Sequence, residues 1–315
     1  MHHIIKSLGS FDILWPYMRE SENSAYVQGE QASGAICRHD LAANFDPIIF
    51  SRETNQDIEK QINDIWSEKC TLNPRLYNGT KFRYNGGEVI GKKYVLNVGL
   101  TSYKDLCGTN LSKNFKKILE LGRNKADNSQ AFMSDPIGVG VLLITDDGYG
   151  VVTRRAAWTG EFPGLLDRPG GHPEPEGKLK PNFGQTDINE IVMEEIWTSA
   201  AQEAEDELGI DKSKLEDMRF LGISINNESG GRPSLEFFAR LRMKSQEIRE
   251  LYNLGKQTEA DESTALHFVP RHTLKMMPFF LLEQAKLGSY SYYCTDIFIN
   301  LISQVIVSHN MVTET

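Results

Sequence analysis

Apolar residues recur every three or four positions in some stretches of this chain and gather into short runs bounded by turn residues in others. Between residues 57 and 69, Ile58, Ile62, Ile65 and Trp66 form one stripe with charges opposite, the spacing of a short amphipathic helix. Pro74 and the pair Asn78-Gly79 then break it. Residues 81–103 (KFRYNGGEVIGKKYVLNVGLTSY) read as two strands around a glycine-rich turn. Residues 113–122 (KNFKKILELG) predict a second short helix, stopped by Gly122. In residues 134–156 an apolar strand, an Asp147-Gly148 turn signal and a second strand ending in Arg154-Arg155 predict a hairpin. Ile196, Ala200, Ala204 and Leu208 then recur at i+4, the buried stripe of a longer helix that Gly209 would end. Strands are predicted over 217–227, 233–243 and 264–270. Phe298, Leu301, Ile302 and Val305 predict a core helix from about residue 290. Residues 1–50 show little periodicity, and an irregular segment or a lead-in strand fits them equally.

The change of pattern near residue 134 divides the chain into an α+β lobe, residues 1–133, and an α/β domain, residues 134–315, with a mixed sheet between helices. A formal charge of −9 argues against a generally basic surface for nucleic acid. It leaves room for anionic nucleotides, because a bound cation inverts the local field. The four cysteines are scattered, without a CxxC pair or a nearby histidine set, so reduced thiols are expected rather than zinc or disulfides. The N-terminus lacks the basic start and apolar run of a signal peptide. Asp296, Asn300, Ser303 and Gln304 interrupt the most apolar run, which therefore predicts no membrane span. A cytoplasmic protein is expected.

The chemistry concentrates between residues 167 and 210. Glu203, Asp206 and Glu207 stand at i, i+3 and i+4, so a helix places them on one side within a turn of about 5.4 Å. Three clustered carboxylates repel one another unless a cation intervenes, and hard oxygen donors that leave room for water and phosphate suit Mg²⁺, with Mn²⁺ the alternative. Upstream, RPGGH (residues 168–172) is a glycine-pair turn through which backbone can approach a phosphate.

At these residues the chain resembles the Nudix family, whose signature reads GX5EX7REUXEEXGU with U aliphatic. Gln202 stands where the family has arginine, Asp206 where it has glutamate, and an insertion from about residue 178 to 189 separates the glycine turn from the helix. A strict pattern match therefore fails. Family members that cleave uridine diphosphate sugars share an expanded box and the glutamine. The likeness to them extends to residues 99–110, 135–140, 169–175 and 262–264, and covers roughly residues 55–270.

The resemblance implies a Nudix α/β/α sandwich with a mixed sheet, preceded by the smaller α+β lobe. It implies Mg²⁺-dependent hydrolysis of UDP-glucose, and of UDP-galactose, to UMP and glucose 1-phosphate, with a small nucleotide sugar as the partner. Glu203 and Glu207 become the main metal ligands and catalytic carboxylates, with Asp206 a third that reaches the ion through water. Gln202 can donate a hydrogen bond but cannot neutralise, so weaker metal binding is expected. Glu236 and Glu262 are the candidates for general base, Glu262 preferred. Strand alternation sends Arg154 and Arg155 to opposite faces; the resemblance selects Arg155 for the diphosphate, which its planar fork suits. It also sets Tyr77 and Tyr103 against the uracil and Asp167, His172 and Glu174 against the nucleotide or its ribose. Counting makes Glu194 the first glutamate of the box, whereas the resemblance favours Glu195. Another diphosphate substrate such as ADP-ribose, or a silent nucleotide-binding scaffold, remains a rival reading, and the residues alone do not separate uridine from adenine.

Overall fold

Alternation and turn chemistry build two sheets. A computed structural model of the chain describes residues 3–8, 11–16, 36–159, 163–179 and 187–271. In chain order the elements begin with β1 (His3–Leu8), β2 (Phe11–Pro16) and, after a 3-10 turn at Arg38–Asp40, β3 (Leu41–Phe45). There follow α1 (Gln56–Leu72), β4 (Thr80–Ile90), β5 (Lys93–Ser102), α2 (Tyr103–Gly108) and α3 (Phe115–Ala126). The central part holds β6 (Gly138–Ile144), β7 (Tyr149–Arg155), β8 (Leu166–Asp167), β9 (Gly170–Gly171) and α4 (Ile188–Leu208). After these come β10 (Leu215–Asn226), β11 (Arg232–Leu241), α5 (Ser245–Asn253) and β12 (Ser263–Pro270).

The large sheet runs β1-β2-β10-β11-β6-β7-β12, and β3-β5-β4 form a small one. Only β11 and β6 pair in parallel within the large sheet; its other ladders are antiparallel, so the sheet is mixed. β1 and β2 form a hairpin that joins β10, Leu14 opposite Ile223. The first strands of the chain therefore extend the large sheet rather than the small one. One apolar core spans both sheets: Phe82, Tyr94, Leu96 and Val98 of the small sheet join Val139, Val141, Phe220 and Phe237 of the large one. A second cluster, Ile58, Ile62, Ile118, Phe132 and Met133, seats α1 and α3.

α4 is the element that positions the site. Asp187 caps it by accepting from the Asn189 N–H at 3.0 Å, and Ile196, Ala200, Ala204 and Leu208 are fully buried, as their spacing predicts. Gly209 ends it at φ 73°, the left-handed conformation that favours glycine.

Three expectations need correction. Gly122 does not stop α3, which continues to Ala126; a Cβ there would lie 2.5 Å from the Asn128 carbonyl, so close approach of the following loop is the constraint. The β6–β7 hairpin is held only at its tip, Ile144 opposite Gly150. Beyond it β8 and β9 enter, β8 on β7 and β9 on β6. α2 and α5 have no counterpart in the periodicity reading. The helix predicted from about residue 290 lies outside the described residues. Among the described residues, no helix is long and apolar enough to cross a membrane.

Candidate active site

β8, β9 and the turn between them bring the glycine pair against the C-terminal end of α4. A Cβ on Gly171 would fall on the Glu203 carboxylate, so only glycine leaves that space. Glu207 is 3% exposed; its Oε1 accepts the Gly170 N–H at 2.8 Å and its Oε2 faces the Thr153 hydroxyl at 3.5 Å. Among the described residues, no lysine or arginine pairs with Glu203 or Glu207. Burial, then Glu207, Glu259, Asp206 and Glu262, push the Glu203 carboxyl up to about 9. Burial pushes Glu207 up to about 8, against the Gly170 N–H that favours its charged form. Asp206 accepts from Gln202 Nε2 at 3.1 Å.

Carboxyl groups whose ionisation is opposed by burial and by one another suit a divalent cation, which favours their charged forms. The oxygens do not form a closed cage. Among the described residues, the one set of three ligating side chains with donor atoms within 4.8 Å of one another is Cys37, His39 and Asp40, beside the first 3-10 turn. Arg219 donates to the Cys37 sulfur, and a guanidinium there opposes a dication. The wider spacing of the box carboxylates suits an ion that keeps several waters and takes phosphate oxygens as ligands.

The acidic end of α4 opens into a cleft of about 790 Å³ whose wall includes Glu203, Asp206, Glu259 and Glu262 together with Lys69, Lys81, Arg155, Arg168 and Arg232. The loop carrying the further acids is fixed to the box: Glu259 N–H donates to the Asp206 carbonyl at 2.9 Å, and Ala156 N–H to the Glu262 carbonyl at 2.8 Å. Burial, then Glu262 and Asp206, raise the Glu259 carboxyl. Glu259 is a site residue that the sequence reading missed; its sole signal was the acidic run before the last strand.

Arg155 lines the cleft, 3.7 Å from Asp167, while exposed Arg154 donates to the Gly164 carbonyl at 2.9 Å. Glu236 is 2% exposed and its oxygens are engaged by Arg168 Nε at 3.1 Å, Arg168 Nη2 at 3.0 Å and the Ser224 hydroxyl at 2.7 Å. Arg168 also donates to Asp167 at 2.8 Å. A Cβ on Gly140 would collide with its guanidinium. Asp167 and Glu236 are thus committed to a buried ion-pair network, which leaves Glu262 and Glu259 as the less encumbered carboxylates.

His172 lies 3.0 Å from Arg232 Nη1; burial, then Arg232, Lys81 and Arg155, hold its imidazole well below its ordinary range, so it is neutral at pH 7. Glu174 pairs with Lys81 at 2.8 Å. Tyr103 borders the cleft and meets Trp66 edge-on at 6.1 Å. Tyr77 is exposed and is not itself part of the cleft wall; its hydroxyl donates at 2.6 Å to Glu176, which is. Glu195 borders the cleft and pairs with Lys178 at 2.9 Å, whereas Glu194 turns to Arg38 on another face.

A mixed sheet flanked by helices, with an acidic helix end against a glycine turn at a cleft lined by both acidic and basic side chains, defines the class: the chain belongs to the Nudix hydrolase family. It is 35% identical over 254 residues to the uridine diphosphate glucose pyrophosphatase NUDT22 of Bos taurus, covering 78% of this chain and 86% of that one. The human NUDT22 is 34% identical over 251 residues, covering 78% and 82%. Nudix hydrolase 9 of Arabidopsis thaliana is 34% identical over 235 residues, covering 70% and 74%. No protein-family model matches the chain.

Proposed function

We propose that the protein hydrolyses UDP-glucose, and UDP-galactose with it, to UMP and glucose 1-phosphate in the presence of Mg²⁺. The observation that carries the reading is the gathering of opposite charges in one cleft, the carboxylates of Glu203 and Asp206 on the one hand and Arg155, Lys81 and Arg232 on the other, with Glu207 buried against the Gly170 N–H. A metal-bridged diphosphate satisfies both sides together. The relatives' printed activity supports uridine diphosphate glucose in particular.

Glu203, Glu207 and, through water, Asp206 would hold Mg²⁺, which polarises phosphoryl oxygens and cancels part of the diphosphate charge. Arg155, a planar donor fork inside the cleft, binds and orients the diphosphate. Tyr103 offers an aromatic face to the uracil. His172, neutral and beside Arg232, can hydrogen-bond the ribose or phosphate without adding charge. Glu262, with Glu259 beside it, takes the proton of the attacking water. The helices and strand α1, β4 and α2 supply the part of the wall containing Lys69, Lys81 and Tyr103.

Incubation with UDP-glucose, UDP-galactose and ADP-ribose, with and without Mg²⁺, tests the proposal by quantifying the products. UMP and glucose 1-phosphate from UDP-glucose, lost without Mg²⁺ and in Glu207→Gln, is the expected result. Cleavage of ADP-ribose alone, or binding of UDP-glucose without turnover, would contradict it.

A further inference from the structure

The arginine of the family signature is replaced here, and other groups fill its place. Gln202 Nε2 donates to Asp206 Oδ1 at 3.1 Å and, at 3.4 Å, to Glu205 Oε2. Its Oε1 turns the other way and accepts from Lys212 Nζ at 2.5 Å. Lys212 reaches it because the left-handed Gly209 reverses the chain at the end of α4. A 3-10 turn, Lys212–Lys214, follows, with Asp211 accepting from the Ser213 N–H at 2.8 Å. The ammonium also lies 3.7 Å from Glu205. A cation at the end of a helix is favourably placed in any case. Here it also polarises an amide, and an amide whose oxygen binds a cation donates more strongly from its nitrogen. The functions an arginine combines in one side chain are divided between a dipole at position 202 and a charge at position 212.

We propose that Lys212 and Gln202 form a relay that orients Asp206 toward the divalent cation, with Lys212 a positioning residue acting only through Gln202. The proposal rests on the reading that the acidic end of α4 takes such a cation. Asp206 is one methylene shorter than the family glutamate and borders an open cleft, so its carboxylate has alternative rotamers to lose. The Gln202 bond pins one oxygen and leaves the other for the ion or its water. Lys212 is about half exposed and is not part of the cleft wall, so it assists the ligand without competing for it.

The bare alternative is a surface lysine whose contacts with Gln202 and Glu205 serve no ligand. Titration with Mn²⁺, following free Mn²⁺ by electron paramagnetic resonance, separates the two without reference to turnover. The set comprises the unaltered chain, Lys212→Met, Lys212→Arg, Gln202→Arg and the double variant Gln202→Arg/Lys212→Met. Lys212→Met should weaken Mn²⁺ binding about three- to tenfold, the lower end for an outer partner of a metal ligand, and Lys212→Arg should restore it. In the Gln202→Arg background, where position 202 carries its own charge, Lys212→Met should change affinity by less than about twofold. Unchanged affinity in Lys212→Met, or an equal loss in both backgrounds, would overturn the relay while leaving the metal reading intact. An unaltered chain that binds no Mn²⁺ would overturn both.

Discussion

Two carboxylates at the acidic end of α4 and beside it are equally hidden from water yet treated in opposite ways. Glu236, 2% exposed, is clasped by Arg168 and Ser224, and the arginine is itself shared with Asp167 and Ser234. Glu207, 3% exposed, receives one backbone N–H and a distant hydroxyl, with Asp167 and Glu259 opposing its charge and Arg155 offsetting them only in part. Burial of an ion is costly unless it is paired and hydrogen-bonded. The first carboxylate carries its counter-ion within the fold and serves as scaffold; the second leaves that place open. On the proposed reading, the difference separates a residue that holds the site together from one that takes a ligand, although both are buried glutamates.

The comparison is broken most severely at Glu207. Glu207→Gln should lower kcat on UDP-glucose by on the order of a thousandfold, several kcal/mol of lost transition-state charge stabilisation. The same change should raise the metal-free stability at pH 8.5, because it removes a repelled anion while keeping an acceptor for Gly170. Denaturant unfolding and steady-state kinetics check the two signs together.

Arg168→Met tests the other side. It leaves Glu236 buried and unpaired and should cost about 3–5 kcal/mol in denaturant unfolding; a change below about 1 kcal/mol would show that the network is not structural. Glu262→Gln should reduce kcat about a hundredfold with little effect on stability, the lower range for loss of a general base. Steady-state rates across pH with this variant distinguish it from Glu259→Gln.

A further effect is a slope with pH. Folded Glu203 and Glu207 keep their protons to about 9 and about 8, against an ordinary glutamate value of 4.5. The unfolded chain therefore loses these protons first as pH rises. Stability of the metal-free protein should fall from about pH 5 to about pH 9 and level off above that. Saturating Mg²⁺ should flatten the slope, as thermal melts at pH 5.5, 7 and 8.5 would register.

Much of the scaffold was legible because its signals are local. The i+4 stripe from Ile196 to Leu208 and the glycine after it define α4 without reference to any other part of the chain. The two strands within residues 81–103 were likewise within reach of a short window. What stayed hidden depends on distant partners. β2 exists because β10, some two hundred residues later, offers it an edge. Gly122 is required by the loop that passes over it rather than by the helix that contains it. The commitment of Glu236 to Arg168 and the arrival of Glu259 at the box follow from tertiary placement that no spacing in the sequence records. The three clustered acids were legible as a helix face; that, among the described residues, no lysine or arginine forms an ion pair with them was not.

The most direct test is to titrate Mg²⁺ into weakly buffered, metal-free protein at pH 7.5 and follow released protons. If Glu203 and Glu207 form an open half of an ion pair, binding must displace the protons that repulsion and burial hold there. The account predicts about one to two protons per bound ion, and none in the Glu203→Gln/Glu207→Gln variant. Binding of Mg²⁺ with no proton release, or equal release from the double variant, would contradict it.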